Sequence, residues 1–208
     1  MYILHCLFIV LNMLFDENNK WNHTGAILAG GKSSRMGKPK EGVMLWDGRP
    51  MIEHVIDSLK EVCRKVVIVG KCEGYTLQPE DNIEIIPDNI AEKGPLSGLE
   101  ALLASGIDSE YLVVSCDQPL ITSDILVLLT RDRTVIPRFF LTLDQFNPFP
   151  GVYPESWLPK IRHAIENEKL SLCELVKNSE IFCILIAKNQ CLKSMNSPQD
   201  LILSTPSS

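Results

Sequence analysis

Four short apolar runs within the first 115 residues constrain the fold of this chain more than any other feature. They are Ala26-Ile27-Leu28-Ala29, Lys65–Val69, Asn82–Pro87 and Tyr111–Ser115. The second, Lys-Val-Val-Ile-Val, lacks the apolar–polar alternation of a half-exposed strand. Continuous β-branched runs of this kind mark strands covered on both faces of a parallel sheet. Between the first two runs, Ile52, Val55, Ile56, Leu59 and Val62 recur at spacings of three and four. That spacing predicts an amphipathic helix reaching about Arg64, with Pro50 in its first turn. Gly94–Leu99 reads as a turn into a second helix ending near Ser105, and Ser123-Asp124 as the cap of a third. Strand and helix alternating in this way predict an α/β fold with right-handed crossovers. Ligands of such sheets bind beyond the carboxyl ends of the strands, and Gly30, Asp88 and Asp117 each follow a strand there.

The second half is less regular. Phe139–Phe146 reads as a strand, Asn147–Tyr153 as a proline-rich turn leading to another short strand, and Ile181–Ala187 as a final strand. Trp157–Asn167 and Ser171–Lys177 read as helices, and Met195–Leu201 as the start of a C-terminal one. No linker divides residues 25–208, which suit one domain. Residues 1–24 are expected to be an extension outside it. Their apolar run, Tyr2–Phe15, is short for a bilayer span and lacks the basic flank of a secretory signal, so no stable membrane insertion is expected.

The first strand runs straight into Gly30-Gly31-Lys32-Ser33-Ser34-Arg35-Met36-Gly37-Lys38-Pro39-Lys40. Glycines let a ligand approach the backbone amides closely, and successive N–H groups form an anion-binding concavity. Lys32, Arg35, Lys38 and Lys40 surround it with positive charge, which suits a polyphosphate. Neither the P-loop pattern nor the dinucleotide Gly-x-Gly-x-x-Gly pattern is present. The chain as a whole carries a net charge of −6, so a general nucleic-acid surface is not expected and a small anionic ligand is. Seven cysteines are scattered without a Cys-x-x-Cys pair, as expected of reduced thiols in a cytoplasm.

Leu28-Ala29-Gly30-Gly31-x-Ser33-x-Arg35-Met36-Gly37-x-x-Lys40 resembles the signature loop of nucleotidyltransferases, and its Leu-Ala-Gly-Gly form that of the molybdenum cofactor guanylyltransferases, the MobA family. Further segments carry the resemblance. Ser115-Cys116-Asp117-Gln118-Pro119 is similar to that family's metal-binding Pro-Cys-Asp-x-Pro motif, with Ser115 in place of proline. Gly94-Pro95-Leu96-Ser97-Gly98 is similar to a segment that leaves room for the base, and Asn196-Ser197-Pro198-Gln199-Asp200-Leu201 to a C-terminal motif.

The resemblance implies a single-domain, three-layer α/β/α fold with a mostly parallel, Rossmann-like sheet. It also implies transfer of GMP from GTP to molybdenum-molybdopterin, with Mg²⁺ on Asp117. Leu28, Ala29, Gly30, Gly31, Lys40, Asp88 and Asp117 would bind the nucleotide, and Arg35, Lys40 and Asp117 would act in catalysis. Molybdoenzymes or their chaperones would receive the product. An asparagine of the family, expected after the second strand, is replaced by Gly70-Lys71. Asn196 either joins the site or caps the last helix. The alternatives are a cytidylyltransferase or sugar-phosphate nucleotidyltransferase of the same fold, or a nucleotide-binding regulator without catalysis.

Overall fold

Among the described residues, one seven-stranded sheet forms the spine of the protein. The computed structural model describes residues 20–30, 39–78, 82–90, 93–132, 134–142, 146–187 and 190–202. The strands are β1 (Trp21–Ala29), β2 (Cys63–Gly70), β3 (Glu84–Ile86), β4 (Glu110–Ser115), β5 (Arg138–Leu141), β6 (Phe146–Pro154) and β7 (Phe182–Leu185). They lie in the order β3-β2-β1-β4-β6-β5-β7. β1 pairs in parallel with β2 and β4, β2 with β3, and β5 with β7, while β6 runs antiparallel to both neighbours. The helices are α1 (Met51–Val62), α2 (Pro95–Ala104), α3 (Ser123–Thr130), α4 (Leu158–Glu166), α5 (Leu172–Lys177) and α6 (Pro198–Ile202).

Side chains of successive strand residues point to opposite faces, and both faces here are apolar. Ala26, Val67, Val69, Tyr111, Val113, Phe139 and Tyr153 pack beneath α2, α4 and α5. Ile27, Ile68, Leu112, Val114 and Val152 pack beneath α1 and α3. This is the expected three-layer α/β/α arrangement, and it explains why the central strands read as unbroken apolar runs. Fully burying one such Ile or Leu contributes about 1.5–3 kcal/mol. α1 buries Ile52, Val55, Ile56, Leu59 and Val62, the stripe visible in the sequence.

Several boundaries differ from the sequence expectation. β1 begins at Trp21, so Trp21–Thr24 form part of the sheet rather than preceding it; residues 1–19 lie outside the described residues. Pro50 is the N-cap of α1, bridged to Met44, and the helix ends at Val62 because the β-branched stretch of β2 already begins at Cys63. Thr122, not Ser123, precedes α3. The expected strand over Phe139–Phe146 ends at Leu141. The expected proline-rich turn over Asn147–Tyr153 is instead most of β6, with a cis Phe149–Pro150 bond. The prolines are tolerated because pairing with β4 stops at Val113↔Gly151 and the register with β5 breaks between Phe139↔Gly151 and Leu141↔Phe146, leaving Pro148 and Pro150 where no ladder N–H is required.

Away from the strands' carboxyl ends, Arg138 is fully buried and forks onto Glu110, its Nη2 donating to Oε2 at 2.9 Å. Its Nε donates to the Leu129 carbonyl at 2.9 Å. This pair ties the first residue of β4 to the first residue of β5.

Candidate functional site

The carboxyl ends of β1, β2 and β3 lie level, because Leu28 is in register with Val69, Ala29 with Gly70, and Val69 with Ile86. Gly30 and Gly70 follow with φ of +92° and +93°, the left-handed region that favours glycine. Close approach makes Gly70 obligatory as well. A Cβ there would sit 2.4 Å from the Ala29 carbonyl oxygen and 3.5 Å from Asp88 Oδ1. A Cβ on Gly98, in the first turns of α2, would sit 3.0 Å from Leu28 Cδ2 and 3.7 Å from Asp88 Oδ1. Leu28, Gly70, Asp88 and Gly98 thus lie close together at this edge, an approach that depends on two absent side chains.

Asp88 is exposed there, yet partial burial raises its carboxyl above the ordinary aspartate range, opposed by the charge of Lys71. The segment after it is anchored. Asn89 Nδ2 donates to Glu100 Oε2 at 3.0 Å, and Arg162 Nε donates to Glu100 Oε1 at 2.9 Å. Glu100 is 2% exposed. Nothing in the sequence distinguished it from an ordinary helix-surface glutamate.

Beyond β4 the chemistry changes. Lys40 lies in a 3₁₀ turn, Lys40–Gly42, and its Nζ donates to Asp117 Oδ2 at 2.8 Å and to Asn196 Oδ1 at 2.6 Å. Three residues distant in sequence meet at one ammonium. Asp117 is buried, and its other oxygen, Oδ1, has no hydrogen-bond partner among the described residues. A buried carboxylate oxygen without a donor is uncommon and suits a hard cation. Among the described residues no group of three or more His, Cys, Asp or Glu side chains could hold a metal. A cation here would have one protein carboxylate and would need oxygens from its substrate, as magnesium does in phosphate-handling sites.

Two further contacts fix these groups. The Met195 N–H donates to the Asp117 carbonyl at 2.7 Å, bringing Asn196 alongside. Asp200 accepts from the Asn196 and Ser197 N–H groups, the Ser197 hydroxyl and Lys193 Nζ. Its carboxyl is thereby held far below the usual carboxylate range, with the Lys193 hydrogen bond the largest cause. Asp200 therefore does the capping at the start of α6, and the Asn196 side chain faces the site. On the other side of Lys40, Glu41 is buried and accepts from the Gly74 N–H at 3.2 Å. Cys116, beside Asp117, is kept protonated by burial, which pushes its thiol well above the ordinary range; as a thiol it is a poor nucleophile.

The structure therefore places Leu28, Ala29 and Gly30 in the middle, with Asp88 on one side and Asp117, paired to Lys40, on the other, because β1 lies between β2 and β4. Gly31 and Arg35, with Lys32, Ser33, Ser34 and Lys38, lie outside the described residues. Glu41, Glu100 and Asn89 were not among the sequence candidates. Asn196 was weighed between two roles.

Its family and relatives make this chain a nucleotidyltransferase. The chain belongs to the MobA-like NTP transferase family, whose domain model matches residues 25–180, in agreement with the resemblance of its motifs. It is 32% identical over 182 residues to a Flavobacterium johnsoniae protein named "Probable molybdenum cofactor guanylyltransferase", covering 86% of this chain and 94% of that one. A protein of the same name from Pelotomaculum thermopropionicum is 30% identical, covering 86% and 90%. Among solved structures, molybdopterin-guanine dinucleotide biosynthesis protein A from Archaeoglobus fulgidus shares the fold, with a TM-score of 0.71 at 21% identity over 87% of this chain and 96% of that one.

Proposed function

We propose that the protein transfers GMP from GTP to the terminal phosphate of molybdenum-molybdopterin, giving the guanine dinucleotide form of that cofactor and pyrophosphate. An acceptor phosphate oxygen forms a bond to the α-phosphorus of GTP while the bond from that phosphorus to the bridging oxygen of pyrophosphate breaks. Little covalent chemistry is asked of the protein; positioning and charge neutralisation carry the rate. The observation that supports this best is the Lys40 ammonium held between Asp117 and Asn196, with Asp117 Oδ1 buried beside it and without a partner among the described residues.

In this reading Leu28, Ala29 and Gly30 carry the nucleoside, and Asp88 accepts hydrogen bonds from it. Lys40 and Arg35 neutralise triphosphate oxygens, and the amides of Gly30 and Gly31 bind them. Asp117 would hold Mg²⁺ through Oδ1, and bound Mg²⁺ supplies charge neutralisation across phosphate oxygens. The choice of guanine and of the pterin acceptor rests on the names of the relatives. No described helix is long and apolar enough to cross a membrane, and we place the reaction in the cytoplasm, with molybdoenzymes or their chaperones taking the product.

The test is pyrophosphate release with GTP, CTP, ATP and UTP in turn, with Mg²⁺ and molybdenum-loaded molybdopterin. Release with GTP alone is expected. Release with CTP instead would move the protein to cytidylyl transfer, and no release with any triphosphate would defeat the catalytic reading.

A further inference from the structure

Gln118 is fully buried and every polar atom of its side chain is used. Its Oε1 accepts from the Ser115 N–H at 3.3 Å. Its Nε2 donates to the Phe149 carbonyl at 2.9 Å and to the Leu192 carbonyl at 3.1 Å. All three partners are backbone groups, and they belong to three separate segments: the end of β4, the start of β6 and the C-terminal stretch that leads to Asn196. A primary amide has one acceptor oxygen and two donor hydrogens on one plane, and no other side chain of this size matches that demand.

We infer that Gln118 is a positioning residue for the site: by clamping Leu192 and Phe149 onto the Asp117 turn, it sets where Asn196 meets Lys40. The C-terminal stretch is pinned to that turn twice, by Gln118 at Leu192 and by the Met195 N–H at the Asp117 carbonyl. Asn196 follows directly and reaches Lys40 Nζ at 2.6 Å. The second amide hydrogen fixes Phe149, beside the cis bond to Pro150, so the same side chain joins the first residues of β6 to the lysine–aspartate end of the sheet. Gln118 bonds to none of Lys40, Asp117 and Asn196 through its side chain. Whatever it contributes passes through the backbone that carries them. This role rests on the proposed nucleotidyl transfer for its kinetic consequence, though not for its structural one.

The experiment uses the full chain with Gln118→Met, which keeps the volume and removes all three bonds, and Gln118→Glu, which keeps the acceptor and removes both donors. Amide hydrogen exchange is followed at Met195, with the β1 and β2 amides as internal reference. Exchange at Met195 is expected to rise at least about tenfold while the reference amides hold, because local opening is governed by the contacts of that segment alone. Turnover is expected to fall about 10–100-fold, as for other partners that orient a site without entering it, with the KM for nucleotide unchanged because none of the three Gln118 bonds reaches Leu28, Gly70, Asp88 or Gly98. In an Asn196→Ala background the further loss from Gln118→Met should shrink to near nothing, since coupled residues are not additive.

Unchanged Met195 exchange in a folded variant overturns the inference, and so does a full additional loss in the Asn196→Ala background. If Gln118→Met does not fold, Gln118→Glu decides on the same readouts. A wild-type protein that turns over no triphosphate defeats the proposed function, and the exchange measurement still decides on Gln118.

Discussion

Replacing Lys40 by methionine separates what this lysine does for the fold from what it does for chemistry. Asp117 is 8% exposed, and Lys40 Nζ at 2.8 Å is the partner of its Oδ2. Oδ1 has no partner among the described residues. Lys40→Met leaves a buried carboxylate without its counter-charge. Removing one member of a fully buried pair costs about 3–5 kcal/mol, and the residual water access of both side chains brings the expected loss to about 2–3 kcal/mol. For a chain of this length that is a fall in Tm of about 5–10 °C, read equally as a lower urea midpoint at constant slope. Adding Asp117→Asn removes the stranded charge, so the double variant should recover most of the lost stability. Turnover should not recover. It should fall by about 10²–10³ or more in both variants, the usual effect of losing one group that stabilises developing charge. A double variant as unstable as Lys40→Met alone would refute the reasoning, because the damage would then not lie in the unpaired carboxylate.

Other perturbations follow from the surroundings of Gly98 and Asp88. Gly98→Ala adds a methyl group 3.0 Å from Leu28 Cδ2 and 3.7 Å from Asp88 Oδ1; helix propensity gains up to about 1 kcal/mol, so calorimetry should show weaker nucleotide binding with little change in Tm. Asp88 has a raised carboxyl pKa in the fold, so its ionised form is disfavoured there. Its contribution to stability is present below the unfolded value of about 3.9 and lost as pH rises through the folded one. Asp88→Asn should therefore stabilise the protein slightly at neutral pH while weakening nucleotide binding and removing the acid limb of its pH profile, measured by titration from pH 4 to 8. Glu100→Gln loosens Arg162 and, through Asn89, the segment after Asp88; steady-state kinetics should show a higher KM for the triphosphate with kcat held.

Much of the first half of the fold was legible in the sequence because one physical cause writes it there. β1, β2 and β4 are covered on both faces, so their residues are apolar at successive positions, and the helix between the first two shows its stripe at helical spacing. The strand-end residues Gly30, Asp88 and Asp117 follow from that alone, and the motif resemblance supplied Lys40. The second half was less legible, for particular reasons. Pro148 and Pro150 argue against a strand by propensity, yet they lie beyond the last β4 pair and meet no ladder demand. Gly151 looks like turn chemistry, but its missing Cβ makes room for the Phe139 ring, which would lie 2.6 Å away. Arg138 carries a charge that residue type alone would place at the surface, and its meeting with Glu110 makes its burial tolerable. Gln118 reads as a turn residue in Cys-Asp-Gln-Pro, since nothing local announces that its partners lie 31 and 74 residues away.

The shared lysine also imposes an order on the making of the molecule. Its two partners stand 77 and 156 residues downstream, so at roughly 5–20 residues per second the ribosome delivers Asp117 about 4–15 s and Asn196 about 8–30 s after Lys40. β1, β2 and β3, whose carboxyl ends carry Leu28, Gly70 and Asp88, are all synthesised before either partner segment is complete. A growing or prematurely ended chain can thus hold these strands while its lysine is still without Asn196. In the proposed reading competence arrives with the last stretch of polypeptide, and truncation before Met195 is expected to spare nucleotide binding while abolishing turnover.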